Sequence, residues 1–164
     1  MASITFKGTP IKTIGELPQK GSRAPNFSLV ANDLSEVTLE SFGRKKKILN
    51  IIPSLDTGVC RTSANTFNEK IARRSNLVVI NISMDLPFAQ GRFCKVEDID
   101  NSEALSAFRS SFPKDYGVEI MDGPLKGLCA RAVIVLDENN NVVYTEQVPE
   151  IGQEPNYDKA LQNL

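Results

Sequence analysis

The segment Lys47-Ile48-Leu49-Asn50-Ile51-Ile52-Pro53-Ser54-Leu55-Asp56-Thr57-Gly58-Val59-Cys60 passes from an apolar, β-branched-rich run into a loop and then into a helical pattern. A nearly continuous apolar run of this kind suits a strand covered on both faces. Pro53 ends it, because proline has no N–H for the ladder. From Val59 onward, Val59, Ser63, Phe67 and Ile71 recur at helical spacing, which predicts a helix over residues 59–74. Asp56 or Thr57 stands where a cap is wanted.

Working outward, the same alternation of strand and helix continues. Leu77-Val78-Val79-Ile80-Asn81-Ile82-Ser83-Met84 reads as a second buried strand. Pro87 then suits the first turn of a short helix carrying Phe88, Phe93 and Cys94. Residues 102–108 are expected to be helical, with Ser102-Glu103 at the start. Ala132-Val133-Ile134-Val135-Leu136 is the third core strand, and the turn residues Asp137 to Asn141 lead to an antiparallel partner, Val142-Val143-Tyr144-Thr145-Glu146. The tail from Pro155, with Tyr157, Ala160 and Leu161, fits a terminal helix. Upstream, Ile4-Thr5-Phe6 and Ile11-Lys12-Thr13-Ile14 alternate around Gly8-Thr9-Pro10 as a hairpin. Phe27 to Val30 forms a short strand, and Asn32-Asp33 turns toward Glu36-Val37-Thr38-Leu39. This order implies an α/β sandwich of thioredoxin-like type: a mixed central sheet flanked by helices, with an extra N-terminal β-hairpin. It does not set the order of the strands.

The chain has 164 residues, a length suited to one domain over residues 1–164. Lys plus Arg number 19 and Asp plus Glu 20, so the net charge of -1 argues against nucleic-acid binding, and no basic run exceeds Arg44-Lys45-Lys46-Lys47. No apolar run approaches the roughly 20 residues that span a bilayer. Met1-Ala2-Ser3-Ile4-Thr5 lacks a charged n-region and an apolar h-region, so no secretory signal is visible and a cytoplasmic protein is expected. Histidine is absent. That excludes a Ser-His-Asp triad, a Cys-His pair and any zinc site with a His ligand. Three cysteines remain, Cys60, Cys94 and Cys129, widely separated and odd in number. They form neither a secreted disulfide framework nor paired zinc knuckles. In a reducing compartment such cysteines either pack inertly or carry redox chemistry.

Cys60 falls where a core strand gives way to a helix. Ligands are met at the carboxyl ends of strands in open α/β sheets. The first helical turn presents unpaired N–H groups and the positive end of the helix dipole, both of which favour a thiolate. A thiol of pKa about 8.5 is only a few per cent ionised at pH 7, whereas one lowered to about 6 is mostly thiolate. The alternative at such a junction is a buried, unreactive cysteine.

The string Pro53-Ser54-Leu55-Asp56-Thr57-Gly58-Val59-Cys60 has the form P-x-x-x-T-x-x-C. It resembles the signature of the peroxiredoxins, and in detail that of the thiol peroxidases, which are atypical two-cysteine peroxiredoxins. Three more stretches are similar to that subfamily: Phe6-Lys7-Gly8-Thr9-Pro10, Asp85-Leu86-Pro87-Phe88-Ala89-Gln90-Gly91-Arg92-Phe93-Cys94, and Ala130-Arg131-Ala132-Val133-Ile134-Val135-Leu136-Asp137. The resemblance covers nearly the whole chain.

It implies that Cys60 is the nucleophile that attacks a peroxide and becomes a sulfenic acid. The Thr57 hydroxyl would orient the peroxide, a role compatible with capping the helix. Pro53 would shield the site from water as well as end the strand. Arg131 would stand beside the thiolate, favouring its charged form and the charge developing on the peroxide oxygens. Without the other motifs, Arg131 would read as a solvated strand-end residue. Cys94 matches the resolving position, so an intramolecular Cys60–Cys94 disulfide is implied. Both cysteines fall on helical segments, whereas a disulfide requires Cα atoms about 4.4–6.8 Å apart, so local unwinding around both is expected in each cycle. Cys129 is better read as a small packing residue than as an accessory thiol.

The resemblance further implies thioredoxin as the reductant of the disulfide, hydrogen peroxide and alkyl hydroperoxides as substrates, and a homodimer. No metal, flavin or haem cofactor is required, because sulfur carries both electrons. Leu55, Val59, Phe88 and Phe93 could line a hydrophobic approach for the substrate, and each could equally serve the core. Two rivals stand beside a peroxidase. A disulfide oxidoreductase is disfavoured by the absence of CxxC. A redox sensor using the same disulfide would react once and stop, whereas a peroxidase turns over when its reductant is supplied.

Overall fold

The computed structural model describes residues 1–71, 74, 76–97 and 102–164, with the side chains of these except 60, 94–97 and 102. The apolar run before Pro53 forms a central strand, and the rest of the chain is built around it. In order, the elements are β1 (Ser3–Phe6), β2 (Thr9–Lys12), β3 (Ser28–Val30), β4 (Glu36–Thr38), a 3-10 turn over Leu39–Phe42, β5 (Lys46–Ile51), α1 (Gly58–Ile71), β6 (Leu77–Ser83), α2 (Pro87–Glu97), β7 (Ser102–Ser106), α3 (Phe112–Asp115), β8 (Ala132–Leu136), β9 (Val142–Gln147) and α4 (Tyr157–Gln162).

Strands β1 and β2 make a separate antiparallel hairpin. Its two-residue loop has Lys7 at φ 51° and Gly8 at φ 81°, the left-handed pair that matches the twist of a tight hairpin. The other seven strands form one mixed sheet in the order β4-β3-β7-β6-β5-β8-β9. β5, β6 and β7 are parallel neighbours, linked through α1 and α2, while β8, β9, β3 and β4 join antiparallel. This is the thioredoxin-like α/β sandwich with its extra N-terminal hairpin.

Period-two alternation divides the sheet's side chains between two cores. On one face Leu49, Ile51, Ile80, Ile82, Ile134 and Leu136 pack with Phe27, Phe112 and Tyr116. On the other, Ile48, Val79, Val133 and Val135 meet Phe67 and Ile71 of α1 and Ala160 of α4. Because both faces are covered, β6 and β8 are buried at every position, β8 as a continuous apolar run and β6 as one interrupted only by Asn81 and Ser83. Among the described residues no helix is long and apolar enough to cross a membrane.

The expected helix at 102–108 is a strand instead. Glu103, Ala104 and Leu105 are good helix formers, but propensity is a weak prior. Here Ala104 and Leu105 are buried on opposite faces of the sheet, and the segment pairs with β6 from Val79↔Ser102 to Ser83↔Ser106. Tertiary pairing wins. The helix expected over 59–74 is α1, which begins at Gly58, and residues 72 and 73 of that expectation lie outside the described residues.

Candidate active site

At the carboxyl end of β5 the chain enters the loop 52–57 through buried Pro53. Ser54 organises this loop. Its hydroxyl accepts from the Asp56 N–H at 3.1 Å, and its carbonyl accepts the Thr57 hydroxyl at 3.2 Å. Thr57 occupies the cap position of α1, its carbonyl accepting the first helical bond from the Arg61 N–H at 3.0 Å. Cys60 is therefore the third residue of α1, within the turn whose N–H groups have no partner inside the helix. A thiolate formed in that turn is favoured by the dipole of a helix 14 residues long. The side chains of Cys60 and Cys94 lie outside the described residues, but both backbones are placed: Cys60 opens α1 and Cys94 sits toward the end of α2.

Immediate neighbours of the two cysteines touch. Phe93 is 7% exposed and packs with Ile52, Leu55, Ala64 and Ala104. The Arg61 guanidinium lies over the Phe93 ring, 5.8 Å from its centroid. Helix α2 is thus seated against the first two turns of α1 by an apolar cluster topped by a cation–π contact.

Arg131 lies at the same end of the sheet, on β8's approach to β5. Ala132 pairs with Ile51, so Arg131 falls opposite Ile52, where β5 leaves the sheet for Pro53. It is 1% exposed, and its Nε donates to the Ile151 carbonyl at 2.8 Å. Its own carbonyl accepts from Gln147 Nε2 at 3.0 Å and from the Val148 N–H at 3.1 Å. The solvated strand-end alternative does not hold for this arginine. A buried permanent cation is kept at the sheet end beside which α1 begins. Tyr157 of α4 feels its charge, although burial and the neighbouring Glu154 carboxylate push that phenol's pKa upward on balance.

The apolar candidates divide. Leu55 and Phe93 share one buried cluster. Val59 is half-buried on α1, whereas Phe88 on α2 is 70% exposed. Thr57 is exposed at the mouth of the loop. Cys129 is fully buried in the central core, and burial pushes its thiol up to about 12, so it is a neutral packing residue at physiological pH. Among the described residues no cluster of three His, Cys, Asp or Glu side chains is placed to hold a metal.

One residue at the site went unassigned in the sequence. The Asp85 carboxylate accepts the Ser54 hydroxyl at 2.7 Å, the Leu55 N–H at 2.8 Å and the Ser83 hydroxyl at 2.7 Å. An acid just ahead of Pro87 at a helix start reads as a partner for that helix dipole, and nothing in the local pattern points across to another loop.

The redoxin family profile matches residues 19–161, leaving only the β1–β2 hairpin and the ends outside. The chain is 53% identical over 164 residues to the thiol peroxidase of Mycobacterium tuberculosis, covering 100% of this chain and 99% of the relative. The chain belongs to the redoxin family. Within that family it groups with the thiol peroxidases of the peroxiredoxin class. Among solved structures, a peroxiredoxin-like protein from Aquifex aeolicus superposes with a TM-score of 0.91 at 39% identity, covering 100% of this chain and 98% of that one. The thiol peroxidase from Chromobacterium violaceum also gives 0.91, at 26% identity, over 98% of this chain and 93% of that one. The peroxiredoxin resemblance stated from four motifs thus extends along the full chain.

Proposed function

We propose that this redoxin reduces hydrogen peroxide and alkyl hydroperoxides by a two-cysteine cycle. The observation that carries it is the burial of the Arg131 guanidinium at the end of the sheet where β5 gives way to the loop that leads into the first turn of α1, which bears Cys60. A helix start and a permanent cation are the two means of favouring a thiolate in a chain with no histidine.

In the first step the Cys60 thiolate attacks one peroxide oxygen. An S–O bond forms, the O–O bond breaks, and the second oxygen departs as alkoxide or hydroxide and takes up a proton, leaving a sulfenic acid. Arg131 offsets the charge on the departing oxygen, and the Thr57 hydroxyl orients the peroxide. Pro53, buried at the start of the loop, helps to exclude water. In the second step the Cys94 thiol displaces the sulfenic hydroxyl as water, and a Cys60–Cys94 disulfide forms. In the third, a dithiol reductant attacks through a mixed disulfide, restores both thiols and is itself oxidised. Thioredoxin supplies that dithiol in a reducing cytoplasm.

Cys60 and Cys94 both lie on helices, so the second step opens the adjoining turns. Gly58, the first residue of α1, and Gly91 within α2 lower the cost of that opening. Leu55, Val59, Phe88 and Phe93 offer apolar surface to an alkyl chain, and the active unit is a homodimer.

Peroxide consumption with thioredoxin and its reductase tests the proposal. Turnover is expected in wild type and should vanish in Cys60→Ser. Peroxide loss at the wild-type rate in Cys60→Ser would overturn it.

A further inference from the structure

Asp85 follows β6 and precedes α2, yet two of the three bonds to its carboxylate come from the loop that leads to Cys60. Ser54 donates to Oδ1, and the Leu55 N–H to Oδ2. The third donor, Ser83 Oγ, binds Oδ2 at 2.7 Å and fixes the carboxylate to the end of β6. The backbone of Asp85 is held as well, its carbonyl accepting the buried Ser106 hydroxyl of β7 at 2.5 Å. Ser83 Oγ in turn accepts from Nε2 of Gln90 on α2 at 3.0 Å, and that same amide reaches the Leu105 carbonyl at 2.9 Å. Ser83 and Gln90 are both fully buried. A continuous path of hydrogen bonds therefore runs from Leu55 through Asp85 and Ser83 to the body of α2.

Bonds to an ionised acceptor are roughly twice as strong as neutral ones. Two such bonds on Ser54 and Leu55 hold the part of the loop from which Thr57 is positioned, because the Thr57 hydroxyl and N–H both bond the Ser54 carbonyl. Attack on peroxide needs this arrangement closed. Joining Cys60 to Cys94 needs α1 and α2 to loosen at the same junction. One carboxylate thus favours the geometry of the first step over that of the second.

We infer that Asp85 is a positioning residue, a latch that ties the loop 53–57 to the β6–α2 junction and sets how often the two cysteine-bearing helices open. Its catalytic consequence rests on the two-cysteine cycle proposed above; the latch itself does not. An uncharged carboxamide at position 85 keeps the size of the side chain but loses the charge and half of the acceptor capacity.

Hydrogen exchange on the reduced full chain reads the latch directly, without peroxide. In Asp85→Asn, amides within 53–63 and 85–93 should exchange at least about tenfold faster, the change that follows from losing a hydrogen bond to a charged group, while amides of β8 and β9 keep their protection. Ser54→Ala, which removes one donor, should move the same amides less, and adding it to Asp85→Asn should change little more. It also decides the matter should Asp85→Asn not fold. Unchanged protection at 53–63, loss spread evenly into β8 and β9, or fully additive effects of the two variants would overturn the latch. A rapid peroxide pulse then separates the chemical steps: Asp85→Asn should slow oxidation of Cys60 and quicken disulfide formation. Movement of both steps in one direction would contradict the positioning role, whereas a wild-type chain inert to peroxide would fail the peroxidase proposal and leave the exchange result to decide the latch.

Discussion

The Arg61 guanidinium lies 5.8 Å from the centroid of the Phe93 ring, and each of these residues adjoins a cysteine, Cys60 on α1 and Cys94 on α2. The ring is buried against Ile52, Leu55, Ala64 and Ala104. Phe93 is therefore the wedge that holds the two helices in contact. Replacing a buried Phe with Ala removes its burial energy and leaves a cavity, together about 3–5 kcal/mol. Phe93→Ala should lower stability by that order in urea unfolding, and Phe93→Leu by clearly less. Equal stability of wild type and Phe93→Ala would mean that α2 is held elsewhere.

Arg131 gives a second prediction. Its guanidinium is buried where β5 leaves the sheet, with Nε fixed on the Ile151 carbonyl. Arg131→Met should raise the Cys60 pKa and slow its oxidation by about a hundredfold, the scale seen when one donor to a developing negative charge is removed. Arg131→Lys should not restore the rate, because an ammonium cannot hold the same forked geometry. Stopped-flow oxidation and the pH dependence of alkylation at Cys60 measure both. An unchanged thiol pKa in Arg131→Met would take Arg131 out of the site.

Glu150 binds the N-terminal hairpin through its carboxylate. Its carboxylate accepts the Thr5 hydroxyl and the N–H groups of Lys7, Gly8 and Gly152, and these bonds, that from Thr5 first, lower its pKa from 4.5 to about 2. A carboxylate with a depressed folded pKa contributes stability above its unfolded value and loses it as the pH falls through the folded one. Wild type should lose Tm between about pH 4.5 and about pH 2 from this group, and Glu150→Gln should show a shallower fall over the same window with a lower Tm at neutral pH. Parallel acid limbs for the two proteins would show that Glu150 does not anchor the hairpin.

The sequence made β5, β6 and β8 legible because strands buried on both faces are predominantly apolar, with polar side chains such as Asn50 and Asn81 paired to each other. It made α1 legible because Phe67 and Ile71 keep helical spacing against Ile48 and Val79. It misled at β7, where Glu103, Ala104 and Leu105 favour a helix locally and only the pairing with β6 makes them a strand. The placement of β3 between β4 and β7 is equally non-local, since a single pair, Val30↔Ser106, joins it to β7. At the candidate site, the positions of Pro53 at the strand end, Thr57 at the cap and Cys60 at the helix start could be read locally, because one loop and one helical turn set them. The burial of Arg131 could not, because it depends on the β5–β8 register and on Ile151. Asp85 was hidden for the same reason: its partners Ser54 and Leu55 are brought to it by the sheet.

Peptide mapping after one equivalent of cumene hydroperoxide, with residual thiols blocked, tests the two-cysteine cycle most directly. The predicted result is a loss of two hydrogens mapped to a Cys60–Cys94 disulfide within one chain, with Cys129 still a thiol, unreactive until the protein is unfolded. Cys60 remaining as a sulfenic acid, or bridged to a cysteine other than Cys94, would contradict it.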